Sequence, residues 1–176
     1  MANLLTAIRL FLVIPVGWSF ADPEFISPAL LLGLIVLAIV SDYLDGKVAR
    51  ALNTASARGM LFDHGTDFLF VTAGLAGAAA TGAVSALLPV LIVFAFSQYV
   101  FDSYVLSRQK KLRMSLLGRW NGIFYFVPLL VLAVSRFTFL ADMQATLETG
   151  ATLLGYVLIV STAASIVDRG LARTSH

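Results

Sequence analysis

Apolar stretches of about twenty residues recur along this chain, with only short polar breaks between them, and that pattern leaves few folds open. They predict helices at roughly 3–21, 27–52, 59–81, 84–107, 119–140 and 146–170. Of the 176 residues only 12% are charged and 59% are hydrophobic. So few charges cannot cover a water-facing surface, because a soluble domain carries about a quarter. Lipid is therefore the expected solvent. In hydrocarbon a helix satisfies its own backbone hydrogen bonds, so the expected fold is an all-α integral membrane bundle of six transmembrane helices. No repeat or long linker divides the chain, which reads as a single domain over 1–176. The opening "MANLLTAIRLFLVIPVGWSF" carries an arginine inside its apolar run and lacks a small-residue cleavage site. It is expected to stay as the first helix rather than be removed as a signal peptide.

The few charges are unevenly distributed. Lys47, Arg50, Arg58, Arg108, Lys110, Lys111, Arg113, Arg119, Arg169 and Arg173 fall in or beside alternate connections. The intervening loops, "ADPEFIS", "TGAVS" and "SRFTFLADMQATLE", hold a single basic residue, Arg136. Basic residues stay on the cytoplasmic side, so both termini are expected there. The lack of cysteine excludes disulfides, thiolate metal sites and a cysteine nucleophile. No nucleic-acid partner is expected.

Against this apolar background stands "SDYLDGKVARALNTASARGMLFDHGTD", residues 41–67, with Asp42, Asp45, Asp63 and Asp67. Asp42, Asp45, Gly46, Ala49 and Arg50 share one face at the end of the second helix. Gly59, Asp63 and Asp67 share one face at the start of the third. A short polar connection makes the two helices antiparallel neighbours, and Gly46, Ala49 and Gly59 let their backbones approach. Four carboxylates aimed into one space repel one another unless a cation intervenes. Oxygen ligands without His or Cys suit Mg²⁺ or Mn²⁺, and four suffice for two ions that can clamp a phosphorus centre. The plain alternative is that these aspartates cap helices and pair with Arg50 and Arg58. A different class, a divalent-cation transporter, would place its carboxylates near the bilayer midplane rather than at one end.

The same stretch resembles the signature of the CDP-alcohol phosphotransferase family, D-x2-D-G-x2-A-R-x8-G-x3-D-x3-D. Asp42, Asp45, Gly46, Ala49, Arg50, Gly59, Asp63 and Asp67 fill its eight fixed positions. The resemblance implies transfer of a substituted phosphate from a CDP-linked donor to an alcohol, with release of CMP. It implies two divalent ions, Mg²⁺ or Mn²⁺, on Asp42, Asp45, Asp63 and Asp67, at the cytoplasmic end of helices 2 and 3. Asp67 would also be the catalytic base. Gly46, Ala49, Arg50 and Gly59 would face the CDP donor, with Ser56 beside its phosphates. A homodimer in a bacterial inner membrane is the implied setting.

"NLLTAIRLFLVIP" resembles the opening of bacterial phosphatidylglycerophosphate synthases. That adds Asn3 and Thr6 near the donor headgroup, CDP-diacylglycerol as donor and glycerol 3-phosphate as acceptor. "LFDHGTD" is similar instead to choline and ethanolamine phosphotransferases, longer proteins in which a CDP-amino-alcohol donates to diacylglycerol. A phosphorylated acceptor, whether glycerol 3-phosphate or an inositol phosphate, needs cationic ligands. Lys111, Arg113, Arg119 and Arg169 are the candidates, although such residues also set topology. His64 points away from the Asp63 direction and reads as a supporting residue. Arg9, one turn or so inside the first helix, is left between snorkelling to the interface and holding a donor phosphate.

Overall fold

The computed structural model describes residues 2–51, 57–101 and 116–174, and all of its regular structure among them is helical. In chain order the helices are α1 (Ala2–Ala21), α2 (Pro28–Ala51), α3 (Ala57–Ala80), α4 (Leu87–Phe101), α5 (Leu116–Phe124), α6 (Phe126–Ser135) and α7 (Gln144–Thr174). A 3-10 segment, Thr138–Met143, leads into α7. Among the described residues three stretches are long and apolar enough to cross a membrane: Pro28–Asp45, Leu117–Ser135 and Thr138–Leu171. Thr6–Ala21 and Leu87–Phe101 are apolar but shorter.

The turns at one end are encoded locally. Ser27 Oγ accepts the Leu30 N–H at 3.3 Å, just before a proline placed where a helix needs no donor. α3 ends on Gly82 at φ +79°. The Gly82 N–H reaches Ala79 O at 3.0 Å and the Ala83 N–H reaches Ala78 O at 2.9 Å, which closes the free carbonyls of the last turn.

The fifth expected helix, 119–140, is corrected to two pieces and a 3-10 segment. Pro128 lacks the N–H that would bond the Phe124 carbonyl, and its ring crowds that carbonyl. The helical hydrogen-bond ladder is interrupted at Tyr125, which keeps helical dihedrals (φ -63°, ψ -24°) and whose own N–H still bonds Asn121 O at 2.9 Å, and α6 starts at Phe126.

The sequence reading makes α2 and α3 neighbours through Gly46, Ala49 and Gly59; the side chains at 48–58 lie outside the described residues. Among the described residues α1 packs extensively against α3 and next against α2, and Asp42 of α2 meets Asp63 of α3 side chain to side chain. The approach of α1 to α3 uses small residues. A Cβ on Gly77 would stand 2.2 Å from the Gly17 carbonyl oxygen, and one on Gly17 would stand 3.2 Å from Ala73 Cβ. Val16, Phe20, Leu31, Ile35, Phe70, Leu75, Leu88 and Leu129 fill the core around this seam. The seam fixes the height of α1 against the start of α3, and hence what the N-terminal half of α1 can touch.

Candidate active site

One end of the bundle gathers the first half of α1, the last turns of α2, the first turns of α3, the end of α4, α5 and the end of α7. Arg9 of α1 lies at its centre with its side chain 0% exposed. Its Nη1 donates to Asp42 Oδ1 at 3.1 Å and to Asp67 Oδ1, and its Nη2 donates to Asp63 Oδ1 at 3.2 Å. Carboxylates from α2 and α3 therefore meet on one cation supplied by α1. A buried guanidinium without such partners would cost several kcal/mol on the order of a desolvated ion. Asp45, only 3% exposed, lies one turn along α2 and accepts the Thr6 hydroxyl on Oδ2 at 2.7 Å. Its Oδ1 is buried without a hydrogen-bond partner among the described residues. Asp42, Asp63 and Asp67 remain 41%, 25% and 24% exposed and so can reach a ligand.

The charge balance tests whether cations fit. Among the described residues one guanidinium contacts three carboxylates and Asp45 is held by the Thr6 hydroxyl, so the described cluster carries more negative charge than Arg9 offsets. Ligand atoms of Asp63, His64 and Asp67 all lie within 4.8 Å of one another. An oxygen-rich set with one imidazole nearby, a surplus of negative charge and an orphaned Asp45 oxygen suits a hard divalent cation. His64, read from sequence as a supporting residue, thus stands within ligand reach. Its ring meets Tyr99 edge-on at 6.4 Å.

A cavity of about 480 Å³ opens beside the acids. Asp42, His64 and Asp67 form one wall, and Arg119 of α5 and Arg169 of α7 belong to the same lining. Phe68, Phe96, Ile123 and Leu130 make it largely apolar, with Phe68 stacked on Phe96 at 4.1 Å. Arg169 lies over the Tyr99 ring at 5.3 Å. Polar groups are tied together along the α5–α7 side. Tyr125 shares a 2.7 Å hydrogen bond with Thr162, and Ser161 donates to Asn121 Oδ1 at 2.7 Å.

The structure brings Asp42, Asp45, Asp63, Asp67 and Thr6 to one place, and Arg119 and Arg169 to the adjoining cavity. Gly46 follows Asp45 in α2, and Gly59 is half-buried in the first turn of α3. The backbones of Asn3, Ala49 and Arg50 lie in α1 and α2, but their side chains are outside the described residues, as are Ser56, Lys111 and Arg113 entirely. Asn121, Tyr125 and Thr162 were not singled out as site residues from sequence, and Arg9 was weighed only as a snorkelling residue or a donor-phosphate ligand, not as the partner of the aspartates. For Arg9 a signal existed: it lies three residues after Thr6, on the same helical face, and an arginine inside an apolar helix demands a partner.

The profile of the CDP-alcohol phosphatidyltransferase family matches residues 1–167. The chain belongs to that family. Among curated proteins it is similar to a protein of Streptomyces coelicolor (strain ATCC BAA-471 / A3(2) / M145) named cardiolipin synthase (CMP-forming). The two are 41% identical over 80 residues, which is 43% of this chain and 36% of the relative. The match thus spans about a third of that relative's own length.

Proposed function

We propose that this chain transfers a phosphatidyl group from CDP-diacylglycerol to a hydroxyl of a phosphate-bearing glycerol acceptor, with glycerol 3-phosphate as the first candidate. The acceptor oxygen bonds to the phosphorus of the donor, the pyrophosphate P–O bond breaks, and CMP leaves with that bond's electron pair. Asp67, which lines the cavity, takes the hydroxyl proton. Asp42, Asp45, Asp63 and Asp67 would hold two divalent cations, Mg²⁺ or Mn²⁺, whose charge offsets that of the pyrophosphate and eases loss of CMP. Gly46, Ala49, Arg50, Ser56 and Gly59, with Asn3 and Thr6, form the proposed donor side. Arg119 and Arg169, with Lys111 and Arg113, form the proposed acceptor side. Six membrane crossings, with both termini and the site cytoplasmic, are part of the same reading, as is a homodimer.

The single observation that carries it is the convergence of carboxylates from α2 and α3 beside a cavity that also holds two arginines. A pure cation path needs no arginines next to its acids, whereas a phosphorylated acceptor does. A second reading takes phosphatidylglycerol as acceptor, so that the product is cardiolipin. The relative's name and the largely apolar cavity wall favour it.

Purified protein supplied with CDP-diacylglycerol and Mn²⁺ is expected to release CMP with one acceptor of a panel: glycerol 3-phosphate, phosphatidylglycerol or inositol phosphate. A parallel reaction with CDP-ethanolamine and diacylglycerol should stay silent. CMP release only in that parallel reaction would reverse the donor assignment, and none in any reaction would remove the transferase reading.

A further inference from the structure

We infer that Arg9 is a displaceable counter-ion of the acidic cluster, competing with divalent cations for the carboxylates of Asp42, Asp63 and Asp67. The inference rests on the proposed metal site. Three features support it. Arg9 reaches three carboxylates on two different helices with only two terminal nitrogens, so its positive charge is spread over the oxygens that a cation needs. A guanidinium cannot lose its proton under ordinary conditions, so it leaves these oxygens only by moving. Its own anchorage is also incomplete: Nε is buried with no hydrogen-bond partner among the described residues, so the head is held by the acids alone.

Two results follow from simple electrostatics. Without metal, Arg9 keeps mutually repelling carboxylates together and stabilises the junction of α1, α2 and α3. With metal, it must give up at least part of those contacts, and the displaced guanidinium stands next to the cavity wall formed by Asp42 and Asp67, where an anionic phosphate would be its natural new partner. Cation loading and binding of a phosphate-bearing donor would then reinforce each other, since each removes what the other opposes.

The test measures Mn²⁺ binding by the paramagnetic resonance of the free ion, and thermal unfolding with and without Mn²⁺, for the wild-type chain, Arg9→Gln and Arg9→Lys. Removing a positive charge in contact with the ligands should tighten Mn²⁺ binding by about tenfold or more. It should also lower the metal-free melting temperature of Arg9→Gln, with added Mn²⁺ recovering most of that loss. Arg9→Lys, which keeps the charge but can reach fewer oxygens, should lie between the two and covers the case in which Arg9→Gln does not fold without metal. Unchanged or weaker Mn²⁺ affinity in both variants would overturn the inference while leaving the metal site intact. Failure of the wild-type chain itself to bind Mn²⁺ would overturn the metal reading underneath it.

Discussion

Two arginines mark opposite ends of the bundle, and their partners differ in kind. Arg9 is enclosed by three carboxylates. Arg136 donates to the neutral Ser19 carbonyl at 2.7 Å and lies over the Phe20 ring at 5.2 Å. The second arrangement ties the end of α6 to the end of α1, with Glu148 of α7 near enough to offset its charge. The first leaves excess negative charge among the described residues, which a cation can balance. Charge at the Arg136 end serves the fold. Charge at the Arg9 end leaves something for a ligand to complete.

The sharpest way to break this contrast is Asp67→Asn. It removes the proposed base with little change in shape, and CMP release should fall by about 10²–10⁴-fold, the usual worth of a positioned proton acceptor. Nucleotide binding, followed by calorimetry, should change little. Normal turnover would remove Asp67 from the chemistry. The next effect concerns the seam that sets the height of Arg9. Gly77→Val drives a side chain into the backbone of Gly17 and Ala21, which cannot give way as a flexible side chain can. Unfolding in detergent should show a loss of about 1–3 kcal/mol or more. A fully stable variant would mean that α1 and α3 do not pack this closely.

Smaller shifts are expected from the cavity arginines. Arg119→Ala and Arg169→Ala should each raise the acceptor KM about tenfold, in line with loss of one charge-assisted hydrogen bond, and move the donor KM less. Equal changes in both would return these residues to a topological role. The smallest functional effect should come from the opposite end. Arg136→Met should cost about 1–2 kcal/mol in detergent unfolding, yet leave kcat within roughly twofold. A large drop in kcat there would erase the distinction between the two ends.

Much of this site was legible because its residues obey fixed spacings. Asp42 and Asp45 lie one helical turn apart, as do Asp63 and Asp67, so each pair shares a face whatever the tertiary fold does. Third partners are not written that way. Arg9 meets residues 33 to 58 positions further along the chain, and nothing local to α1 says which charges it finds. The close seam of α1 on α3 was not foreseen for the same reason. Small residues mark where backbones can approach, but that Gly17, Ala73 and Gly77 form such a seam depends on how whole helices stack. The interruption at Tyr125 had a visible cause in Pro128. Arg119 and Arg169 were nominated by sign of charge alone, and only the fold brings α5 and α7 to a common wall.

The length of α7 carries its own implication. Thirty-one residues extend about 46 Å at the usual helical rise, well beyond the ~30 Å of a hydrocarbon slab. A helix of that length in a bilayer either tilts or protrudes past the hydrocarbon. Arg169 lies in its last turns, so under the proposed function the thickness of the surrounding lipid would bear on how far that guanidinium stands from Asp67.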